Sequence, residues 1–479
     1  MYAFNNKTGQ MDLHLPEEIW ADFFCGGGGA STGMELASGR AIDIAINHNP
    51  KALGMHKLNH PNAVHYNESV WDVDPVSACK GRSVEVAWFS PDCTHHSKAR
   101  GGKPKSKSIR GLAWVKIRWM LRVRPKLIPM ENVEEFTSWG PLDSDGQPIK
   151  ERAGETFEAF RKIITTGVSE KHPGFRECLD FLGIDRGTQD AKTLARGLGY
   201  SNDYRELRAC DFGAPTTRKR FIMVSRSDGS EVQWPSPTHG PGLIPHRPAS
   251  DCIDWSIPVP SIFDRKKPYV DNTIERIARG LKRHVIDSDD PFILDNDKAS
   301  FAVRQLNASN GGSGLNQAES KSMLVTAFLV KHFGGNYNGS GISLKEPTHT
   351  ITTIDHHALV YGFFIKYYSQ GGQWAGLNEP LHTITTRDTF GLVLVQINGE
   401  TYELIDIGMR GLRAHELYTA QSFPSNYIHD KWMTPDGAIK NLSHSDQVFM
   451  CGNSVPPLLV KEILQANLSI NHLKKAVAA

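Results

Sequence analysis

The chain reads as an α/β protein built on a doubly wound, mostly parallel sheet, with a second, smaller β-rich domain. Three observations predict this. Over roughly the first 230 residues short β-rich runs alternate with helical stretches, the pattern of an open sheet covered by helices. After Ser227 the text turns to Pro, Gly, His and Trp ("WPSPTHGPGLIPHRP") and the alternation ends. Within that later region a segment repeats: "AFLVKHFGGNYNGSGISLKEPTHTITTIDHHALV" (327–360) is echoed by "GFFIKYYSQGGQWAGLNEPLHTITTRDTFGLV" (362–393).

Local pattern accounts for each element. "IWADFFC", "AIDIAIN", "VEVAWFS", "KLIPMENV" and "RFIMVSR" are rich in β-branched and aromatic residues and read as strands. "ASTGMELASG", "PKALGMHKLN" and "AWVKIRWMLR" lie between them and read as helices; in the last, Trp114, Ile117 and Leu121 share a face. From about 141 to 203 the text is polar and irregular, with one helical piece at "ETFEAFRKII", which predicts a surface insertion. Two repeat copies are too few for a solenoid, so each is expected to be a strand, a Gly-rich excursion and a "TIT" return strand that pair with each other. Helical text resumes at "LRAHELYTAQSF" and "PPLLVKEILQANL", expected to pack back on the first domain. The predicted organisation is a tail (1–17), an α/β domain (18–226, insertion about 141–203), a β-rich domain (227–408) and a returning C-terminal segment (409–479).

Composition excludes several classes. No apolar run approaches the roughly 18 residues a bilayer helix needs, and the first residues lack the basic-then-apolar text of a secretion signal, so a cytoplasmic protein is expected. The 7 cysteines are odd in number and scattered without a C-x-x-C pair, which argues against a disulfide framework and a zinc ribbon; no metal is expected. Net charge is only +2, yet from Thr94 to Met130 there is no acid, while Lys98, Arg100, Lys103, Lys105, Lys107, Arg110, Lys116, Arg118, Arg122, Arg124 and Lys126 are basic. Such a run is ordinarily a solvated face; beginning just after Cys93, it also suits a polyanion lying over that thiol.

"DFFCGGGGASTGMELA" puts a glycine run between a strand and a helix, a turn that lets backbone approach a nucleotide-type cofactor at the helix N-terminus. The next strand ends in Asn47 rather than the acid that usually holds ribose hydroxyls; Asp43 lies about 13 Å back along an extended strand, too far to substitute, and an amide can still bond a diol. In "WFSPDCTHHSKARGG", Cys93 sits where an apolar strand stops and basic text starts. It can be a buried filler, a metal ligand with His95 and His96, or a nucleophile. The histidines lack partners at ligand spacing, whereas the basic surroundings and the strand end favour thiolate character. "PMENVEEF" places Glu131 at the carboxyl end of another strand, and a thiolate beside a carboxylic acid suits addition to a ring whose nitrogen must be protonated in concert.

Six blocks in order resemble the S-adenosylmethionine-dependent DNA (cytosine-5) methyltransferases of bacterial or phage type: "DFFCGGGGASTG", "SPDC", "ENV", "DFGAPTTRKRF", "ELYTAQSFP" and "GNSVPP". The resemblance implies a Rossmann-like methyltransferase fold, with the β-rich region as target recognition domain. It implies that Cys93 attacks C6 of a cytosine flipped from duplex DNA, that Glu131 holds the ring N3 and the exocyclic amine, that Arg220 binds O2 and that Arg218 braces the site. It also implies S-adenosylmethionine contacts from Phe24, Cys25, Gly26, Gly27, Gly28, Gly29, Asn47, Ser69, Pro91, Asn453 and Ser454. Lys98 to Arg110 become the loop that closes over the base. A monomer acting on double-stranded DNA, with a cognate restriction endonuclease as a further partner, completes the expectation.

Departures from the family pattern are Asp92 where a second proline is usual, Thr94 and Thr216 for glutamines, Ser69 for the acid at the adenine amine, and Asn47. Asp92 would raise the thiol's pKa if the two faced each other, but neighbouring extended residues face opposite sides. Two other readings stay open: methylation of RNA, and a silent relative that only binds DNA. Intact Cys93, Glu131 and Arg220 weigh against the second.

Overall fold

The computed structural model describes residues 18–92, 111–144, 146–309, 323–331, 339–354, 356–366 and 394–468, with two short paired strands at Ala3–Phe4 and Met11–Asp12. Cys93, Thr94, the stretch Lys98 to Arg110 and most of the second repeat copy (367–393) lie outside the described residues. Two compact units share the chain, Met1–Pro245 with Gln421–Ala479, and His246–Ala420. Among the described residues no helix is long and apolar enough to cross a membrane.

The first unit is a seven-stranded sheet in the order Val64–Tyr66, Ile44–Ile46, Ile19–Phe23, Val84–Phe89, Leu127–Asn132, Lys219–Arg226, Ser201–Arg208. The first five strands are parallel; Lys219–Arg226 runs antiparallel to both of its neighbours. All five strands expected from sequence are present. The two additional ones are edge strands: "VHY" is too short to show a period, and "SNDYRELR" keeps most of its residues exposed or half-buried. Alternation of side chains sends Ile19, Ala21 and Phe23 into one apolar layer with Trp114 and Trp119, and Trp20 into the other with Met34, Trp88, Val460 and Ile463. Strand order leaves Ile19–Phe23 in one direction and returns on its other side at Val84–Phe89. That reversal opens the crevice where doubly wound sheets collect ligands.

The stretch read as a surface insertion is not irregular. It forms the helices Glu155–Ile164, Pro173–Leu182 and Gln189–Arg196, whose Phe157, Phe160, Ile163, Phe175, Leu179 and Leu194 are buried in the layer that holds Trp114. Only one face of each helix is apolar, so the text looks polar while a core-facing stripe runs through it.

In the second unit five antiparallel strands stand in the order Ile342–Ser343, Met323–Lys331, His357–Lys366, Glu400–Gly411, Leu394–Ile397. Helix Asp271–Leu281 lies over them, with Ile277 and Leu281 in one cluster with Phe328 and Val360. The repeat pairs differently from the expected hairpin. Thr350 to Thr352 form no strand, although Ile351 is buried; Met323–Lys331 pairs instead with His357–Lys366, which joins the end of the first copy to the start of the second. β propensity in "TIT" thus yields to the longer apolar run that follows it. Of the two basic residues after the helix, Lys282 pairs with Asp287 at 3.0 Å.

Lys116 is wholly buried in the aromatic layer of the first unit, its Nζ donating to Ser225 Oγ at 2.9 Å, and burial pulls its pKa down to about 7. The unfolded chain therefore binds more protons than the folded one between that value and the ordinary lysine range, so stability rises with pH across that window by at most about 1.4 kcal/mol per unit. Urea midpoints of Lys116→Met measured at pH 7.5 and 9.5 are expected to exceed wild type at the lower pH and to lose most of the wild-type rise between the two.

Candidate active site

The segment between strand Ile19–Phe23 and helix Gly29–Ser38 is a left-handed turn: Phe24 has φ 60°, Gly26 φ 53° and Gly28 φ 102°. The Cys25 N–H donates to the Ile46 carbonyl at 3.2 Å, and burial pushes the Cys25 thiol well above its ordinary pKa, so this cysteine is inert. Close approach accounts for the remaining glycines. A Cβ on Gly29 would lie 2.0 Å from Ser454 Oγ and 2.5 Å from the Val455 carbonyl, and one on Gly28 would lie 2.5 Å from the Tyr427 hydroxyl. That hydroxyl donates to the Gly27 carbonyl. Ser454 therefore packs directly on the turn, while Asn453 beside it is exposed.

Asn47 follows the next strand; its N–H donates to the Tyr66 carbonyl at 3.1 Å and its Oδ1 accepts from the Asn49 N–H at 2.8 Å, which orients the amide. Asp43 is committed elsewhere, accepting from the Trp20 N–H and from Arg40 and Arg82. Ser69 is half-buried, its Oγ accepting from the Trp71 N–H at 3.3 Å. In register, Phe23 stands beside Ile46 and Phe89, Ile46 beside Tyr66, and Phe89 beside Met130. Phe24, Asn47, Pro91 and Glu131 thus emerge at one edge of the sheet.

Buried Glu131 and half-buried Arg220 form an ion pair, with 2.8 Å between Oε1 and Nε. The antiparallel register explains it. Glu131 is opposite Ile222, and Arg220, two residues along, projects on the same face, within diagonal reach. The next residue, Asn132, donates from Nδ2 to the Pro91 carbonyl at 3.2 Å and accepts from the Val133 N–H at Oδ1, 2.9 Å. "ENV" therefore holds Pro91 of "SPDC" in place. Pro91 is buried and Asp92 exposed; Cys93, two residues beyond Pro91, is outside the described residues. Arg218 is buried, its carbonyl accepting from the Ala209 N–H at 2.9 Å, and Thr216 is fully enclosed.

Sequence reasoning missed Asn132, Tyr427 and Gln421, whose Nε2 donates to the Cys451 carbonyl at 3.2 Å and so ties the "QSFP" block to the helix before "GNSVPP". Asn132 was legible as the polar residue that, after Glu131, closes a strand of otherwise apolar text. Tyr427 carried no such mark, since its partner lies 400 residues away in the chain.

The chain matches the C-5 cytosine-specific DNA methylase family over residues 20–139 and 187–468. It belongs to that family. The unmatched interval between those spans holds the helices Glu155–Ile164 and Pro173–Leu182. Among curated relatives it is 26% identical to the Type II methyltransferase M.AgeI of Thalassovita gelatinovora over 225 residues, 46% of this chain and 42% of that protein. It is 24% identical to the Type II methyltransferase M.AquIA of a Picosynechococcus species over 231 residues, 47% of this chain and 78% of that protein. The match thus spans less than half of the first relative's length. A solved Dnmt2 methyltransferase of S. pombe aligns over 94% of this chain and 98% of its own at 12% identity and a TM-score of 0.41.

Because Ser454 and a main-chain carbonyl fill the space beside Gly29, the substitution Gly29→Ala is expected to cost about 1–3 kcal/mol of stability, read as a lowered urea midpoint at unchanged slope.

Proposed function

We propose that this protein transfers a methyl group from S-adenosylmethionine to C5 of cytosine in duplex DNA. The observation that carries the reading is the Glu131–Arg220 pair, with Asn132 beside it anchoring the strand end that leads into Cys93. The bare backbone of Gly26 to Gly29 at a helix N-terminus, closed on one side by Ser454, fits a nucleoside-type cofactor. Phe24, the glycine turn, Asn47, Ser69, Pro91, Asn453 and Ser454 would hold it, the Asn47 amide reaching the ribose. When bound, S-adenosylmethionine supplies an electrophilic methyl on its sulfonium.

This chain's residues do the rest. The Cys93 thiolate adds to C6 of the everted cytosine, pushing electron density to C5. Glu131 gives a proton to N3 and holds the exocyclic amine, so charge does not accumulate on the ring. Arg220 fixes one Glu131 oxygen and turns the carboxyl towards the base, its guanidinium also suiting the base O2. After C5 has been methylated its proton leaves to water, the C6–S bond breaks, N3 returns its proton to Glu131, and Cys93 is again a thiolate. A site that must recognise an unpaired base rather than an intact pair explains why the acid is buried and the arginine half-buried rather than displayed on the surface. The six ordered blocks carry over to DNA as substrate, with the second unit as recognition domain.

Labelled methyl transfer to duplex DNA, followed by bisulfite sequencing, tests the reading and identifies the target. Cys93→Ala is expected to abolish transfer. Glu131→Gln is expected to lower kcat by roughly 10²–10⁴-fold while cofactor affinity stays within about twofold of wild type.

A further inference from the structure

Beneath the glycine turn runs a buried polar chain that methyl transfer does not use. Asp22, fully buried, lies with Oδ2 2.7 Å from Ser31 Oγ; the same hydroxyl is 2.9 Å from His56 Nε2; and His56 Nδ1 is 2.9 Å from His65 Nε2. Asp22 and Ser31 flank the turn in sequence, Asp22 preceding Phe24 and Ser31 following Gly29. His56, on the helix Pro50–Asn59, is fully buried, whereas His65, on the edge strand Val64–Tyr66, is half-buried and also bonds the Ala63 backbone. The second Asp22 oxygen, Oδ1, is buried with no hydrogen-bond partner among the described residues.

Proton counting allows this chain two arrangements. A serine hydroxyl has one proton, so Ser31 can donate to Asp22 or to His56, never to both. If Asp22 is protonated, it donates to Ser31, Ser31 to His56 Nε2, His56 Nδ1–H to His65 Nε2, and the other His65 nitrogen to the Ala63 backbone. If Asp22 is ionised the three side-chain bonds reverse and the His65–Ala63 bond is given up: Ser31 donates to Asp22, His56 Nε2–H to Ser31, and His65 Nε2–H to His56 Nδ1. Moving from the first to the second shifts one proton per link and releases one from His65 to solvent. Burial favours the first, neutral arrangement: it raises the Asp22 pKa to about 7 and holds His56 well below the ordinary histidine value. The other titratable groups facing the chain are His60, with Nδ1 3.0 Å from Glu35 and Nε2 3.3 Å from Thr32, together with Cys25, Tyr427 and Lys57.

We propose that Asp22, Ser31, His56 and His65 form a proton outlet from the cofactor turn, through which Asp22 ionises when a cationic ligand occupies that turn and is reprotonated when a neutral one does. The inference rests on the cofactor reading above. S-adenosylmethionine carries a sulfonium charge and its demethylated product, S-adenosylhomocysteine, does not, so the chain distinguishes substrate cofactor from spent cofactor by charge. Below the pKa of Asp22 each bound S-adenosylmethionine displaces a proton, and its Kd falls about tenfold per pH unit; above it the dependence flattens.

Titration calorimetry of the full chain at pH 6.0, in buffers of differing ionisation heat, measures protons released by each of the two ligands. Close to one more proton is expected with S-adenosylmethionine than with S-adenosylhomocysteine, and Asp22→Asn is expected to remove the difference. Ser31→Ala takes the hydroxyl donor from the Asp22 carboxyl and leaves it only the backbone N–H at position 31, so the pH at which S-adenosylmethionine affinity levels off should move up. In ¹⁵N-histidine spectra His56 is expected to carry its proton on Nδ1 with S-adenosylhomocysteine and on Nε2 with S-adenosylmethionine. Equal proton counts for the two ligands, or one His56 tautomer throughout, would overturn the proposal while leaving the methyltransfer reading intact. Binding of neither ligand would overturn the cofactor reading and the proposal with it.

Discussion

The Glu131–Arg220 pair is the constraint around which the rest is arranged. Two opposite charges removed from water are tolerated only where geometry is good, and here the geometry comes from strand pairing rather than from a flexible loop. Lys219–Arg226 is the one strand in its sheet that runs against its neighbours. Its reversal brings Arg220 back towards the carboxyl edge, beside an acid that a parallel strand has delivered there. Without that reversal an arginine near the start of a strand would sit at the opposite edge.

Around this pair, positioning proceeds by buried hydrogen bonds. Asn132 fixes the Pro91 carbonyl, Tyr427 fixes the Gly27 carbonyl, and Gln421 fixes the Cys451 carbonyl. In each case a side chain from one motif holds the main chain of another. A main-chain carbonyl left unpaired in the interior is costly, so these contacts lock the motifs together more firmly than packing alone. They also explain how blocks scattered from Asp22 to Pro456 converge. The returning helix Pro457–Asn467 packs its Val460 where Gly33 leaves room, and that contact seats Ser454 on the turn.

Legibility in the sequence followed burial pattern. The five inner strands and three of the covering helices were readable because each offers a long apolar run or a clear helical stripe. Edge strands such as Ser201–Arg208 were not, since exposed residues blur the period. Of the helices from Glu155 to Arg196 only the first was legible, marked by Phe157 and Phe160; Pro173–Leu182 and Gln189–Arg196 were read as loop because their polar faces dominate the text. In the site, Glu131 and Arg220 were legible by motif, and their direct pairing was not, because the two strands are joined through three helices and the strand Ser201–Arg208, and so long-range a register is not written in local text. The buried chain from Asp22 to His65 was equally hidden. Its members sit on four different elements, and only folding makes them neighbours.

The central claim is that Cys93 attacks a cytosine held by Glu131 and Arg220, and a substituted substrate tests it most directly. Fluorine at C5 cannot leave as the proton does, so methylation of 5-fluorocytosine in a mixed duplex library should halt with the enzyme still bonded to C6. Peptide mass spectrometry of the complex formed with S-adenosylmethionine is expected to find the adduct on Cys93, and to find it much diminished in Glu131→Gln. An adduct on another residue, or none from enzyme that methylates ordinary DNA, would contradict the account.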